Sequence, residues 1–197
     1  MVVYKFGGAS VSSAENIRNV SNIIQEFEGD DLVVVVSAMG KTTNALEILL
    51  DTVRKGESAD KLILKLKKDH QEIVRQLFSE GFEMQRLTHL LEALENNLSK
   101  YKNEPYDLHY DQVVSFGELI STTIFSEYLN HIGTVNQLID ARKIIRTDST
   151  FREGVIDWKT TEELVKQTLT SNNITITQGF IGGTATKLTT TLGREGS

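Results

Sequence analysis

The 197-residue sequence has no cysteine, a single proline and a single tryptophan. Without cysteine there is no disulfide framework, no thiolate zinc site and no cysteine nucleophile. Long apolar runs are missing as well. The longest, Leu32 to Val36, has strand length, well below the ~18 residues of a membrane helix, so no bilayer span is expected. Basic charge is in deficit: 21 Lys and Arg stand against 27 Asp and Glu, a formal net charge of −6. Nucleic acid is bound by clustered Lys and Arg, so it is not expected as a partner, whereas a small phosphorylated ligand is compatible with this balance. The first residues, Met1-Val-Val-Tyr-Lys-Phe-Gly-Gly8, show no basic n-region, long apolar h-region or small-residue cleavage site, which predicts a cytoplasmic address. Glycine is scarce in the middle, where Gly81 stands alone between Glu57 and Gln112. That gap predicts a helical centre flanked by glycine-bearing loops.

What is present fits a folded chain of one domain, with 39% hydrophobic and 24% charged residues. Residues 2 to 6 read as a short strand entering Gly7-Gly8. Ser12-Ser13-Ala14-Glu15 offers a capping box for a helix carrying Ile17, Val20, Ile24 and Phe27. Leu32 to Val36 is continuously apolar and β-branched after its leucine, the pattern of a parallel strand covered on both faces. A second helix shows Leu46, Leu49, Leu50 and Val53 on one side, with Gly56 beyond it. Two amphipathic stripes follow, Ile63 to Leu77 and Met84 to Leu98, and predict a helical hairpin over about residues 57–104. Pro105 ends that region. A helix from about Asp111 to His131, a strand at Val135 to Ile139, a helix at Asp157 to Thr170 and a strand at Ile174 to Ile181 complete the series, with a short hairpin possible within residues 142 to 156. Strands alternating with helices predict an α/β fold: an open, mostly parallel sheet with helices on both faces and an inserted helical hairpin.

In such sheets ligands sit beyond the carboxyl ends of the strands. The first such loop, Lys5-Phe6-Gly7-Gly8, puts a cation before two residues free to adopt φ > 0, where exposed N–H groups and a helix N-terminus suit a phosphate. A tight turn with a solvated lysine explains that loop equally well. In the second loop, Gly40-Lys41-Thr42 imitates the end of a P-loop, but the required earlier glycine is Val35, so that reading fails. Ser37, Thr42 and Thr43 remain as hydroxyl donors or helix caps. Gly117 within an apolar helix implies close approach of a backbone or ligand, and Glu118 beside it is a candidate for an ammonium group. The last segment, Thr177 to Gly183 with Thr189-Thr-Thr-Leu-Gly-Arg-Glu-Gly-Ser197, has the composition of a loop folded around an anion. Its Arg194 suits a carboxylate through two parallel hydrogen bonds. Asp107-Leu-His-Tyr-Asp111 reads as a charged loop rather than a metal site, and His70, His89 and His131, without partners at ligand spacing, read as structural.

Together, Lys5-Phe-Gly-Gly-Ala-Ser-Val11, Val36-Ser-Ala-Met-Gly-Lys-Thr-Thr-Asn44, Ser115-Phe-Gly-Glu-Leu-Ile-Ser121, Thr177-Gln-Gly-Phe-Ile-Gly182 and Thr189 to Ser197 resemble the aspartate kinases of the amino-acid kinase superfamily, in order and across the chain. The resemblance implies ATP-dependent phosphorylation of the β-carboxylate of L-aspartate, with Mg²⁺, at the start of lysine, threonine and methionine biosynthesis. It implies that Lys5 is the catalytic cation, with Phe6, Gly7 and Gly8 at the phosphates. It implies that Ser37, Thr43, Glu118, Phe180, Arg194 and Ser197 line the aspartate site, with no protein metal ligand among these positions. Ala9 and Glu195 depart from the family's usual threonine and glycine. The resemblance further implies that residues 1–197 form the substrate-side portion of the kinase domain and are inactive alone. The nucleotide-binding half and regulatory domains would lie elsewhere, and the full-length protein would be a homo-oligomer. The alternatives are a kinase for another amino acid and a non-catalytic ligand-binding or interaction module.

Overall fold

The computed structural model describes residues 1–29, 31–169 and 174–193. Its main sheet contains β1 (Val2–Phe6), β2 (Leu32–Val36), β3 (Asn136–Ile139) and β4 (Ile174–Gln178), in the order β1-β2-β4-β3 with every pairing parallel. Phe6 lies beside Val36, Val36 beside Gln178, and Ile139 beside Thr177. This register brings all four carboxyl ends to one edge, where the connecting loops meet.

Side chains alternate across a strand, so Tyr4, Phe6, Leu32, Val34, Val36 and Ile176 share one face and join the main hydrophobic core. That core also takes in Ile17, Val20 and Ile24 of α1 (Ala14–Gln25) and Ile120, Ile124 and Phe125 of α6 (Phe116–His131). Helix α6 is buried from Phe116 through Ser126, as expected of a helix apolar or small on every side. The opposite sheet face is covered unevenly. Thr175 and Thr177 are buried, Val35 is half-buried, and Val3 is 61% exposed, so β1 and β2 are less enclosed than the apolar run of β2 predicts.

Helices α2 (Thr42–Arg54), α3 (Asp60–Leu77) and α4 (Gln85–Lys100) occupy the glycine-poor centre. The α3 stripe buries Leu66, Val74 and Leu77 in the shared core, packing on α1 and α2. The α4 stripe buries Leu87, Leu91, Leu94 and Leu98 toward α5 (Tyr106–Val114) and α6, and a Lys67–Glu95 ion pair joins α3 to α4.

Several boundaries differ from expectation for identifiable reasons. The segment 107–111 is no loop: α5 (Tyr106–Val114) starts directly after Pro105, whose fixed φ suits a helix entrance, and α6 follows after a break at Ser115. Ser13, not Ser12, caps α1 by accepting from the Asn16 N–H at 3.2 Å, while Ser12 Oγ donates to the Ala9 carbonyl. Strand β4 stops at Gln178, and β5 (Ile181–Gly183) pairs instead with β6 (Thr189–Thr191) as a separate antiparallel ribbon. Residues 142 to 156 hold α7 (Ala141–Ile144) and one antiparallel bridge, Thr147 to Ile156, a reduced form of the expected hairpin. The last helix is α8 (Trp158–Thr168).

Candidate active site

The loops after β1 and β2 are bound to each other along their backbones. Ser37 N–H donates to the Phe6 carbonyl at 3.1 Å, and Gly40 N–H donates to the Gly8 carbonyl at 2.9 Å. Gly8 is required by proximity rather than by an unusual φ, because a Cβ there would lie 2.3 Å from the Ala38 carbonyl oxygen. Gly7 has φ −73° and open space around it, so the expected pair of positive-φ glycines is absent. A single 3-10 turn, Gly8–Val11, takes the place of a simple loop. The loop after β4 joins the same edge through Gly179 N–H, which donates to the Val36 carbonyl at 3.2 Å.

Helix α6 reaches this edge with its first turn. A Cβ at Gly117 would stand 2.8 Å from the Ala38 Cβ, so glycine permits the helix to approach the β2 loop. One residue later, Glu118 Oε1 accepts from the Ala38 N–H at 3.2 Å, and Ser121 Oγ donates to the Ser37 carbonyl at 2.7 Å. Glu118 is 3% exposed, and its Oε2 has no hydrogen-bond partner among the described residues. Burial pushes its carboxyl up to about 7, opposed by the N–H groups of Ala38 and of Glu118 itself. A buried carboxylate with one oxygen fixed and the other unsatisfied is built to receive a donor. At 3% exposure Glu118 is not a solvated surface glutamate.

Of the other positions singled out by the sequence, Lys5 is exposed and stands in register with Val35, on the face opposite α6 by strand alternation. Phe6 is half-buried on the core face, and half-buried Thr43 sits in the first turn of α2. Ser37 is half-buried at the end of β2. Phe180 has φ +64° and is spanned by an Ile181 N–H to Gly179 carbonyl bond of 2.7 Å, the strained form of a three-residue turn. Arg194 and Ser197 lie outside the described residues.

The threonine run is a correction. Thr189, Thr190 and Thr191 are at most 4% exposed, and their hydroxyls face neighbouring side chains: Arg142, Thr147 and Asp111 respectively. The hydroxyls therefore brace a buried ribbon instead of encircling an anion.

Comparison with known proteins decides the family. The family model described as the amino acid kinase family matches residues 1–197. The chain belongs to the amino acid kinase family. Among its relatives, aspartokinase 2, chloroplastic, of Arabidopsis thaliana is 35% identical over 99% of this chain and 38% of its own length. The lysine-sensitive aspartokinase 3 of Escherichia coli is 32% identical over the whole chain and 44% of its own length. Solved structures of E. coli aspartokinase III, one with lysine and aspartate and one with aspartate and ADP, superpose with TM-scores of 0.89 and 0.88 at 30% identity, covering 100% of this chain and 44% of theirs. The chain thus spans well under half the length of these relatives.

Within this amino acid kinase chain, α5 contributes residues that sequence reading set aside. Asp111 and Gln112 are 0% and 4% exposed and bind the backbone of β6. Gln112 fell within the expected helix, whereas Asp111, the last residue of the segment read as a charged loop, was taken as exposed because of its polarity. His70 is buried against the Leu66 carbonyl, with burial holding its imidazole below the usual range; His89 and His131 are exposed.

Proposed function

We propose that this chain carries the aspartate-binding side of a kinase that transfers the γ-phosphoryl group of ATP to the β-carboxylate of L-aspartate, giving 4-phospho-L-aspartate and ADP. The observation that carries the reading is Glu118, a buried carboxylate at the strand-end edge with one oxygen unpartnered among the described residues. An α-amino group is a cation with several donors, and a desolvated carboxylate is its natural acceptor. Support also comes from the relatives, of which E. coli aspartokinase III has been solved with aspartate and ADP.

In this reading Glu118 and Arg194 grip the ammonium and α-carboxylate of aspartate. Ser37, Thr43, Phe180 and Ser197 complete its pocket, leaving the β-carboxylate directed at the phosphates. A carboxylate oxygen is already nucleophilic, so it attacks the γ-phosphorus as the bond to the ADP oxygen breaks, and no general base is needed. The obstacle is repulsion between anions, which Lys5 offsets as charge builds on the transferred group, with Phe6, Gly7 and Gly8 along the phosphates. Among the described residues no cluster of three His, Cys, Asp or Glu can hold a metal ion. In this reading magnesium would be held mainly by the nucleotide's phosphates, the usual mode for that ion, and the chain's own part is positioning and charge stabilisation. The pathway to lysine, threonine and methionine, a cytoplasmic address and a homo-oligomeric full-length protein complete the proposal.

The test is an ADP-release assay on the full coding sequence that contains this chain, with aspartate and glutamate as rival acceptors. Aspartate should be the preferred acceptor, and Lys5→Ala should lower kcat by about 100-fold or more, the usual effect of removing a preorganised charge-stabilising group. Preference for glutamate, or full activity in Lys5→Ala, would refute the assignment.

A further inference from the structure

Strand β6 is short and among the described residues has a strand partner, β5, on one side only, so its other edge would present bare backbone groups to the interior. Those groups are all met. Asp111 Oδ2 accepts from the Thr191 N–H at 3.0 Å, and Asp111 Oδ1 accepts from the Thr191 hydroxyl at 2.7 Å. Gln112 Nε2 donates to the Thr189 carbonyl at 2.8 Å, while Gln112 Oε1 accepts from the Thr189 N–H at 3.1 Å. Gly154 N–H closes the series by donating to the Thr191 carbonyl at 2.8 Å. Alternate residues of a strand turn their backbone groups to the same side, and two consecutive helical side chains read positions 189 and 191 as a third strand would.

The same carboxylate reaches one step further. Asp111 Oδ2 also accepts from the Arg152 N–H at 2.8 Å, fixing a residue at φ +70°. The Arg152 guanidinium lies 4.5 Å from the centre of the Tyr110 ring and pairs with Asp107 at 3.3 Å, both on α5. Gln112 is itself held, since Asn97 of α4 donates to its carbonyl at 2.9 Å. Helix α5 leads through Ser115 directly into α6, whose first turn carries Glu118. Two consecutive helices thus hold β6 at one end and the β2 loop at the other.

We propose that Asp111 and Gln112 are positioning residues: by acting as a side-chain substitute for a strand, they fix β6, and with it the Phe180 turn of the aspartate pocket, relative to Glu118. This rests on the reading that Glu118 and Phe180 both line the aspartate site. Just past Thr191, the Leu192 N–H donates to the Phe180 carbonyl at 2.9 Å, so an error in the placement of β6 passes directly to the Phe180 turn. The clamp does not require a charge. In Asp111→Asn the amide oxygen can still accept from the two N–H groups, and its NH₂ can donate to the Thr191 hydroxyl, which accepts as readily as it donates.

The test compares Asp111→Ala and Asp111→Asn in the full coding sequence. Asp111→Ala should raise the KM for aspartate about tenfold or more, leave the KM for ATP within twofold, and remove hydrogen-exchange protection at the Thr191 amide. Asp111→Asn should restore both properties to within about threefold of the parent. A merely structural role would lower the amount of active protein, and hence apparent kcat, at unchanged aspartate KM. That result, or Ala and Asn variants failing alike, overturns the proposal. If Asp111→Ala does not fold, Thr191→Val removes one of the bonds and should raise the aspartate KM by a few-fold, with no rise overturning it. A parent protein that does not use aspartate would defeat the functional reading and the positioning role with it, whereas lost protection at Thr191 in Asp111→Ala would still establish the clamp.

Discussion

Glu118→Gln is expected to weaken aspartate binding about 100-fold and to abolish its dependence on pH near neutrality. The carboxyl stands at about 7 in the free chain because burial disfavours its charge. An incoming ammonium favours the ionised form, so binding draws the carboxyl down again. The sign follows: aspartate affinity should fall about tenfold per pH unit below 7 and level off above it. Glutamine keeps an oxygen for the Ala38 N–H but turns an NH₂ toward the ammonium, so the variant loses a desolvated charge pair worth about 2–5 kcal/mol. Stability should move the opposite way with pH. Between the ordinary value of 4.5 and about 7, the folded chain holds a proton that the unfolded chain has released. The contribution of this group is therefore full below 4.5 and lost as pH rises toward 7, by on the order of 3 kcal/mol. Urea unfolding at several pH values, with Glu118→Gln giving the flatter profile, together with calorimetric titration of aspartate, checks both halves. An affinity profile that stays flat from pH 5.5 to 8 in the parent would contradict the assignment of the ammonium to Glu118.

Gly8→Ala should destabilise the chain by about 3 kcal/mol, the upper range for forcing extra volume into a packed interior. Its φ is not the obstacle. The new Cβ would sit 2.3 Å from one carbonyl oxygen, that of Ala38, and 3.3 Å from a second, that of Gly40. Backbone cannot rotate aside as a side chain can, so the loops after β1 and β2 must separate. Both loops carry candidate site residues, and a displacement of about 1 Å can cost ~100-fold in kcat/KM. Gly7→Ala is the control: nothing lies within 4 Å of its Cβ position and its φ is −73°, so its effect should stay within about 0.5 kcal/mol. Equal urea midpoints for the two variants would show that the close approach at Gly8 is not a constraint.

Periodicity made most of the fold legible. The leucine stripes of α3 and α4 and the alternation of strands with helices each reported a local rule that the structure keeps, and the valines of β2 marked a strand, though one less enclosed than their run predicts. The misreadings share one cause, the use of polarity as a substitute for exposure. Asp107 to Asp111 looked like a loop because it is charged, yet Asp111 is fully buried with three donors around it. Thr189 to Thr191 looked like an anion loop because it is rich in hydroxyls, yet those hydroxyls are consumed inside. Pairwise hydrogen bonding across roughly 80 positions cannot be read from spacing. The candidate site was legible where close approach forces glycine, at Gly8 and Gly117. It was legible only through family resemblance at Phe180, whose local sequence carries no comparable signal.

Ala38 is crowded from two sides, and the two contacts differ in what inheritance can do about them. A methyl at position 117 would strike the Ala38 methyl, so Gly117→Ala has a suppressor in Ala38→Gly. A methyl at position 8 would strike the Ala38 carbonyl oxygen, an atom that every amino acid brings to position 38. Lineages can therefore trade bulk between positions 38 and 117, whereas no second mutation at position 38 opens position 8.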